Sequence, residues 1–144
     1  RLEAAGSHGV PQVVSVGALD MVNFGEYDSV PARYAERNLY RHNPTVTLMR
    51  TTVEENRKLG EVIADKLNRA ESPTALMLPL RGVSMIDAEG QAFYGPEEDA
   101  ALFDTLRRRV DTGHVDLIEM DNNINDPAFA EAAAQKLLDL MAKK

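Results

Sequence analysis

The chain has no cysteine and no tryptophan, and only three histidines. Without thiols there can be no disulfide and no thiolate metal site, and the composition is compatible with a cytoplasmic location. The histidines are scattered, so metal spacing of the His-rich kind is absent, and no metal site is expected. Positive charge is in short supply: 16 Lys and Arg against 23 Asp and Glu give a net charge of −7. That disfavours a nucleic-acid groove, which needs a basic stripe, but leaves room for a local cationic pocket. No apolar run approaches the length of a membrane span, and the first residues carry no apolar segment of the signal-peptide type. The sequence also lacks a Walker phosphate loop, a G-x-G-x-x-G pattern and a Gly-x-Ser-x-Gly elbow. A hydrolase triad built on Ser84 is therefore not expected.

What is present fits one α/β domain over residues 1–144, with apolar runs alternating with amphipathic stretches. Residues 10–16, 45–50, 75–80 and 115–120 read as strands, rich in Val, Thr, Ile and Leu. Three segments read as helices between or after them. Thr52 and Glu55 form a capping box before a helix reaching about residue 70, with Leu59, Val62, Ile63 and Leu67 as its buried stripe. Pro96 opens a second helix, closed by Arg107, Arg108 and Arg109 at the end the dipole prefers for cations. A third runs from Pro127 to Lys143. A further helix is expected over residues 31–40, and a small hairpin within residues 85–94. The opening residues, with Gly6 and Gly9 as stop signals, read as the last turns of a helix that began earlier, so the chain is expected to be the C-terminal part of a longer protein.

Together these imply a three-layer α/β domain whose mainly parallel sheet has about four or more strands, with both faces covered. In such sheets ligands sit beyond the carboxyl ends of the strands. That edge would collect Asp20 and Asn23, then Arg50, Thr51 and Thr52, then Arg81, Gly82, Val83 and Ser84, and finally Asn125 and Asp126. Arginines and helix amides suit phosphates, and carboxylates suit magnesium through water. Each group has an ordinary alternative. Asp20 and Asn23 can cap local backbone, and Arg50 can pair with Glu54 or Glu55 on the surface. His42 lies at a strand entry, which favours a structural role over a catalytic one. No catalytic residue is assigned.

The ordered set Gly17-Ala18-Leu19-Asp20-Met21-Val22-Asn23-Phe24-Gly25, His42-Asn43-Pro44, Leu48-Met49-Arg50-Thr51-Thr52, Arg81-Gly82-Val83-Ser84 with Asp87 and Gly90, and Ile124-Asn125-Asp126-Pro127-Ala128-Phe129-Ala130 spans nearly the whole chain. It resembles the C-terminal domain of the two-domain ATP-binding family related to the tomato mosaic virus resistance protein. The resemblance implies Rossmann-like architecture, a separate N-terminal domain as partner, binding of ATP with Mg2+ or of a small phosphorylated ligand, and self-association into a homo-oligomer. The family's pattern usually places a histidine before Ile124, where this chain has Asn123. The competing expectation is a protein–protein interaction or oligomerisation domain without its own catalysis.

Overall fold

In the computed structural model, residues 1–142 are described. The elements run α1 (Ala4–Ser7), β1 (Gln12–Ser15), β2 (Met21–Phe24), β3 (Leu39–Asn43), β4 (Val46–Arg50), α2 (Val53–Leu67), β5 (Thr74–Pro79), α3 (Pro96–Arg109), β6 (Val115–Met120) and α4 (Pro127–Ala142). The expected end of the last helix, Lys143, lies outside the described residues.

The parallel sheet has three strands in the order β1-β5-β6. Its middle strand, β5, is buried at every position, as a strand covered on both faces must be. Val14, Leu76 and Leu117 share one face by register, and they pack with Ile63 and Leu67 of α2 and Leu102 and Leu106 of α3. The alternate positions, including Asp116, face the other side, where Lys136 of α4 reaches Asp116. Helices therefore cover both faces. Pro79 is tolerated in β5 for a specific reason. The β1 pairing ends at Met77, and the next amide, Leu80 N–H, already turns to the Met120 carbonyl of β6. Pro79's missing donor would have pointed past the end of β1.

The expected fourth parallel strand is absent from this sheet. β4 lies instead in the middle of a second, antiparallel sheet ordered β2-β4-β3. Two sequence expectations fall with it. Residues 31–40 are not a helix: a short 3-10 turn at Ala32–Tyr34 gives way to β3. Asn43, Pro44 and Thr45 then make a tight hairpin, with Thr45 N–H donating to Asn43 Oδ1 at 2.9 Å. The Asp20–Asn23 stretch is not a loop capped by its own side chains, because Met21, Val22 and Asn23 belong to β2. Cross-strand pairing with β4 wins over the local signals. Residues 85–94 form turns without strands, so the expected small hairpin is also absent.

The helices form as their sequences dictate. Thr52 Oγ1 accepts from Glu55 N–H at 3.2 Å, and Glu55 Oε2 accepts from Thr52 N–H at 2.8 Å. α2 and α3 pack closely because Gly60 has no side chain. A Cβ there would lie 2.9 Å from Thr105 Cβ and 3.2 Å from the Leu102 carbonyl oxygen. Gly60→Ala gains helix propensity but forces the two helices apart. The expected result is a net loss of about 1–3 kcal/mol, the range for overpacking, read as a lower midpoint in urea denaturation.

Candidate functional site

All three parallel strands end on the same side, and their loops are hydrogen-bonded to one another there. Ala18 N–H donates to Val83 O, Arg81 N–H to Asn122 O, and Ile124 N–H to Gly82 O, at 2.8, 3.0 and 3.1 Å. The fit depends on glycine at two points. Gly82 has φ +122°, and a Cβ on it would meet Asn123 Nδ2 at 2.7 Å. A Cβ on Gly17 would meet Ile124 Cδ1 at 2.9 Å. Asn123 fastens the junction, donating through Nδ2 to the Ser84 carbonyl at 2.9 Å. Its Oδ1 accepts from Asn125 N–H at 3.0 Å. This is the position where the family resemblance puts a histidine.

The loops thus fill the space directly above the sheet, and the open volume lies to one side. A cleft of about 650 Å3 runs between the β5 and β6 loops and α3. Leu80, Tyr94 and Phe103 supply apolar wall, Asp87 and Asp99 lie along it, and Arg81, Asp121, Glu89 and Arg107 bring charge. The volume is in the range of small-molecule sites. Arg81 makes a two-pronged pair with Asp121, Nε to Oδ1 at 2.7 Å and Nη2 to Oδ2 at 2.9 Å, with both side chains largely exposed. The pair holds the Asp121 carboxyl below its ordinary range and raises the Arg81 guanidinium. Arg107 is drawn to Glu119 at 2.5 Å and Asp104 at 2.7 Å.

Beneath the cleft sits a buried charge cluster. Arg50, at the end of β4, is 6% exposed. Its Nε donates to the Phe93 carbonyl at 2.9 Å. Its Nη2 lies 3.0 Å from Asp87 Oδ1 and 2.9 Å from Asp99 Oδ1. Arg50 therefore does not pair with Glu54 or Glu55, and with Thr51 and Thr52 it borders a second pocket of about 270 Å3 at the start of α2. Glu55 is taken by Arg37 at 2.6 Å, which holds its carboxyl below the ordinary range. Asp87 Oδ2 accepts from Val83 N–H at 2.7 Å. Its carboxyl is nonetheless raised from 3.8 to about 8, first by burial, with the negative charge of nearby Asp99 adding to the rise.

The remaining candidates divide. Asp20 is fully buried: its Oδ2 accepts from Ser84 Oγ at 2.6 Å, its Oδ1 has no partner, and burial raises its carboxyl. Ser84 Oγ in turn accepts from Asp87 N–H at 3.2 Å, so Asp20, Ser84 and Asp87 form one chain of contacts beside Arg50. Thr51 Oγ1 donates to the Leu19 carbonyl at 2.7 Å, and Thr52 caps α2. Val83 is core. Asp126 Oδ2 accepts from Asn123 N–H at 2.9 Å, ordering the turn before α4, and Asn125 is exposed. Asn23 faces a separate pocket of about 230 Å3 with His42 and Ser84. The strand-end reading therefore brings Arg81 and Gly82 to the cleft, and Asp20 and Ser84 to the cluster under it. It missed Asp99 and Arg107, which appear in the sequence only as ordinary helix-terminal charges. Among the described residues, no group of three His, Asp or Glu side chains is arranged to hold a metal.

Residues 1–141 match the C-terminal domain of the uncharacterised protein family UPF0261. The chain belongs to this family. A UPF0261 protein of Clostridium tetani is 61% identical over 99% of this chain, which covers 35% of that relative. A second, from Rhizobium meliloti, is 52% identical over 91% of the chain and 33% of its own length. The ToMV resistance protein Tm-1(GCR237) of Solanum lycopersicum is 40% identical over 99% of the chain, which covers 19% of it. The UPF0261 domain described here thus spans about a third or less of these relatives, as one domain of a larger protein does. None of its described helices is long and apolar enough to cross a membrane.

The raised Asp87 carboxyl sets a pH dependence for the UPF0261 domain. A group whose folded pKa exceeds its unfolded value contributes stability that is full below the unfolded value, here 3.8, and is lost as pH rises toward about 8. The melting temperature is expected to fall between pH 5 and 8.5. Asp87→Asn, which removes that titration, is expected to make the fall visibly shallower in a thermal-melt series across the same range.

Proposed function

We propose that this UPF0261 domain is a ligand-binding domain, taking a nucleotide or another small phosphorylated metabolite in the cleft beside its strand-end loops. The observation that carries this reading is the cleft itself. It has ligand-sized volume, apolar wall, and a two-pronged guanidinium, Arg81, exposed on its rim. A planar fork of this kind matches phosphate oxygens in pairs. The cleft's charge balance narrows the ligand further. Arg81 and Arg107 stand among Asp87, Asp99, Asp121 and Glu89, a surplus of carboxylates that repels a bare polyanion. A phosphate carried with Mg2+ suits it better, since Mg2+ keeps most of its waters and leans on substrate phosphates rather than on a protein cage. ATP with Mg2+ is the ligand of first choice.

Calorimetric titration of Mg-ATP into the intact protein carrying this domain tests the reading. Arg81→Ala is expected to weaken binding on the order of tenfold, the scale of a lost charge-assisted contact. Asp121→Asn, which frees the fork, is expected to tighten it. Unchanged affinity in both variants would remove the ligand from this cleft.

A second reading, self-association, has its own observation. α4 leaves Leu138 and Met141 more than half exposed, one helical turn apart on its outer side. Leu138→Asp combined with Met141→Asp is expected to convert an oligomer to smaller species in sedimentation velocity. An unaltered sedimentation coefficient would assign the contact elsewhere.

A further inference from the structure

The cleft has a chemical problem that its own residues solve. A phosphorylated ligand must approach a wall on which Asp87 and Asp99 lie together, both reaching the same Arg50 nitrogen. One guanidinium cannot neutralise two carboxylates. A third buried carboxyl, Asp20, joins Asp87 through Ser84 Oγ and has an oxygen without a partner. We infer that Asp87 carries a proton beside Arg50, and that an anionic ligand in this cleft binds only while that proton is held, so that binding is coupled to proton uptake. The inference rests on the ligand-binding reading above and adds its regulation.

The geometry supports this directly. Asp87 is 1% exposed and Asp99 is 8% exposed, and both reach the one Arg50 Nη2, at 3.0 and 2.9 Å. A second buried carboxylate at the same nitrogen disfavours the charged form of Asp87. Asp87 keeps its second oxygen on Val83 N–H at 2.7 Å, which fixes the carboxyl plane and leaves the first oxygen toward Arg50 and Asp99. The neighbouring charges come from several elements: Glu98 of α3 and Arg37, itself paired with Glu55, line a second pocket with Arg50. Arg50 comes from β4, Asp20 from the loop after β1, and Asp99 from α3. Arg81, Asp121, Glu89 and Arg107 line the cleft. Of these, only Arg50 pairs with the buried carboxylates, while Arg81 and Arg107 are engaged by acids of their own. Loss of the Asp87 proton therefore adds a net negative charge to the wall that the phosphate must face. Burial already pushes the Asp87 carboxyl up to about 8, so the proton is present at neutral pH and is lost just above it.

The test uses the intact protein and Mg-ATP, whose phosphates stay fully ionised from pH 7 to 9. Affinity is measured by calorimetry across that range, in two buffers of different ionisation enthalpy at each pH. The coupling predicts roughly tenfold weaker binding at pH 9 than at pH 7, with uptake approaching one proton per ligand at the higher pH, as one pH unit beyond the titration of Asp87 requires. Asp87→Asn, which carries no charge at any pH, is expected to flatten the profile and keep binding at pH 9. Carboxyl-carbon NMR of the wild-type protein gives a measurement that needs no variant: Asp87 should titrate well above the ordinary carboxylate range. Mg-ATP affinity independent of pH, or an Asp87 resonance titrating below pH 5, would overturn the coupling and leave the ligand-binding reading standing. Absence of Mg-ATP binding at every pH would overturn both.

Discussion

The buried guanidinium of Arg50 is the contact on which the rest of the molecule turns. It leaves the end of β4, in the antiparallel sheet, and reaches the Phe93 carbonyl, Asp87 in the loop after β5, and Asp99 in the first turn of α3. These segments are separated by 37 to 49 residues of chain. A buried arginine left unpaired costs several kcal/mol, and carboxylates stripped of their arginine cost about 3–5 kcal/mol. The antiparallel sheet is therefore not free to drift from the parallel one, although the two share no strand pairing. The same contact fixes the 85–95 segment, whose backbone has little regular structure of its own. Tyr40 adds an edge-on contact with Phe93 at 6.1 Å between ring centres. That gives the segment an apolar hold beside the ionic one.

One consequence concerns where a ligand can sit. In an open sheet the crevice beyond the strand ends is the natural place. Here the loops after β1, β5 and β6 donate backbone hydrogen bonds to one another, and Ile124 and Asn123 occupy the space that Gly17 and Gly82 leave. The crevice is filled by the protein itself. The available volume is displaced toward α3, onto the outer side of the Arg50 cluster. The charge imbalance of that cluster is thus not incidental to the cleft, because the residues that hold the sheets together also form part of its wall.

The sequence was informative where local patterns and tertiary pairing agree. β5 is an unbroken apolar run and was readable as a covered strand, and the Thr52–Glu55 capping box sits where its spacing says. Pro96 and the Arg107–Arg109 triplet mark the two ends of α3 in the same way. It misled where pairing between distant segments decides the outcome. Residues 31–40 carry a plausible helix start, yet Leu39 and Tyr40 are drawn into β3 by Met49 and Leu48. β4 looks like any other strand of a parallel sheet, because its Val, Thr and Leu residues do not encode the direction of their neighbour. For the site, polar residues at strand ends were legible as candidates. Their division into cleft rim, buried cluster and loop fastening was not. That division depends on Asp87 and Asp99, and nothing in local spacing ties either residue to Arg50.

The two charged layers of the site differ in how readily they rearrange, and this difference gives the cleft its character. The Arg81–Asp121 pair is mostly exposed, and an exposed ion pair contributes little to stability. An incoming phosphate can therefore take the Arg81 fork from Asp121 without disturbing the fold. The layer beneath is largely buried and held by Arg50, Val83 N–H and the chain of contacts through Ser84 to Asp20. It can change its charge state but not easily its geometry. Such a floor meets a ligand with fixed positions and a variable charge, while the rim meets it with fixed charge and a movable side chain. Selection at the rim then depends on the shape of the ligand's anionic group, and selection at the floor on its charge. The small phosphorylated ligand proposed above would satisfy both, whereas an uncharged molecule of the same size would gain nothing from displacing Asp121.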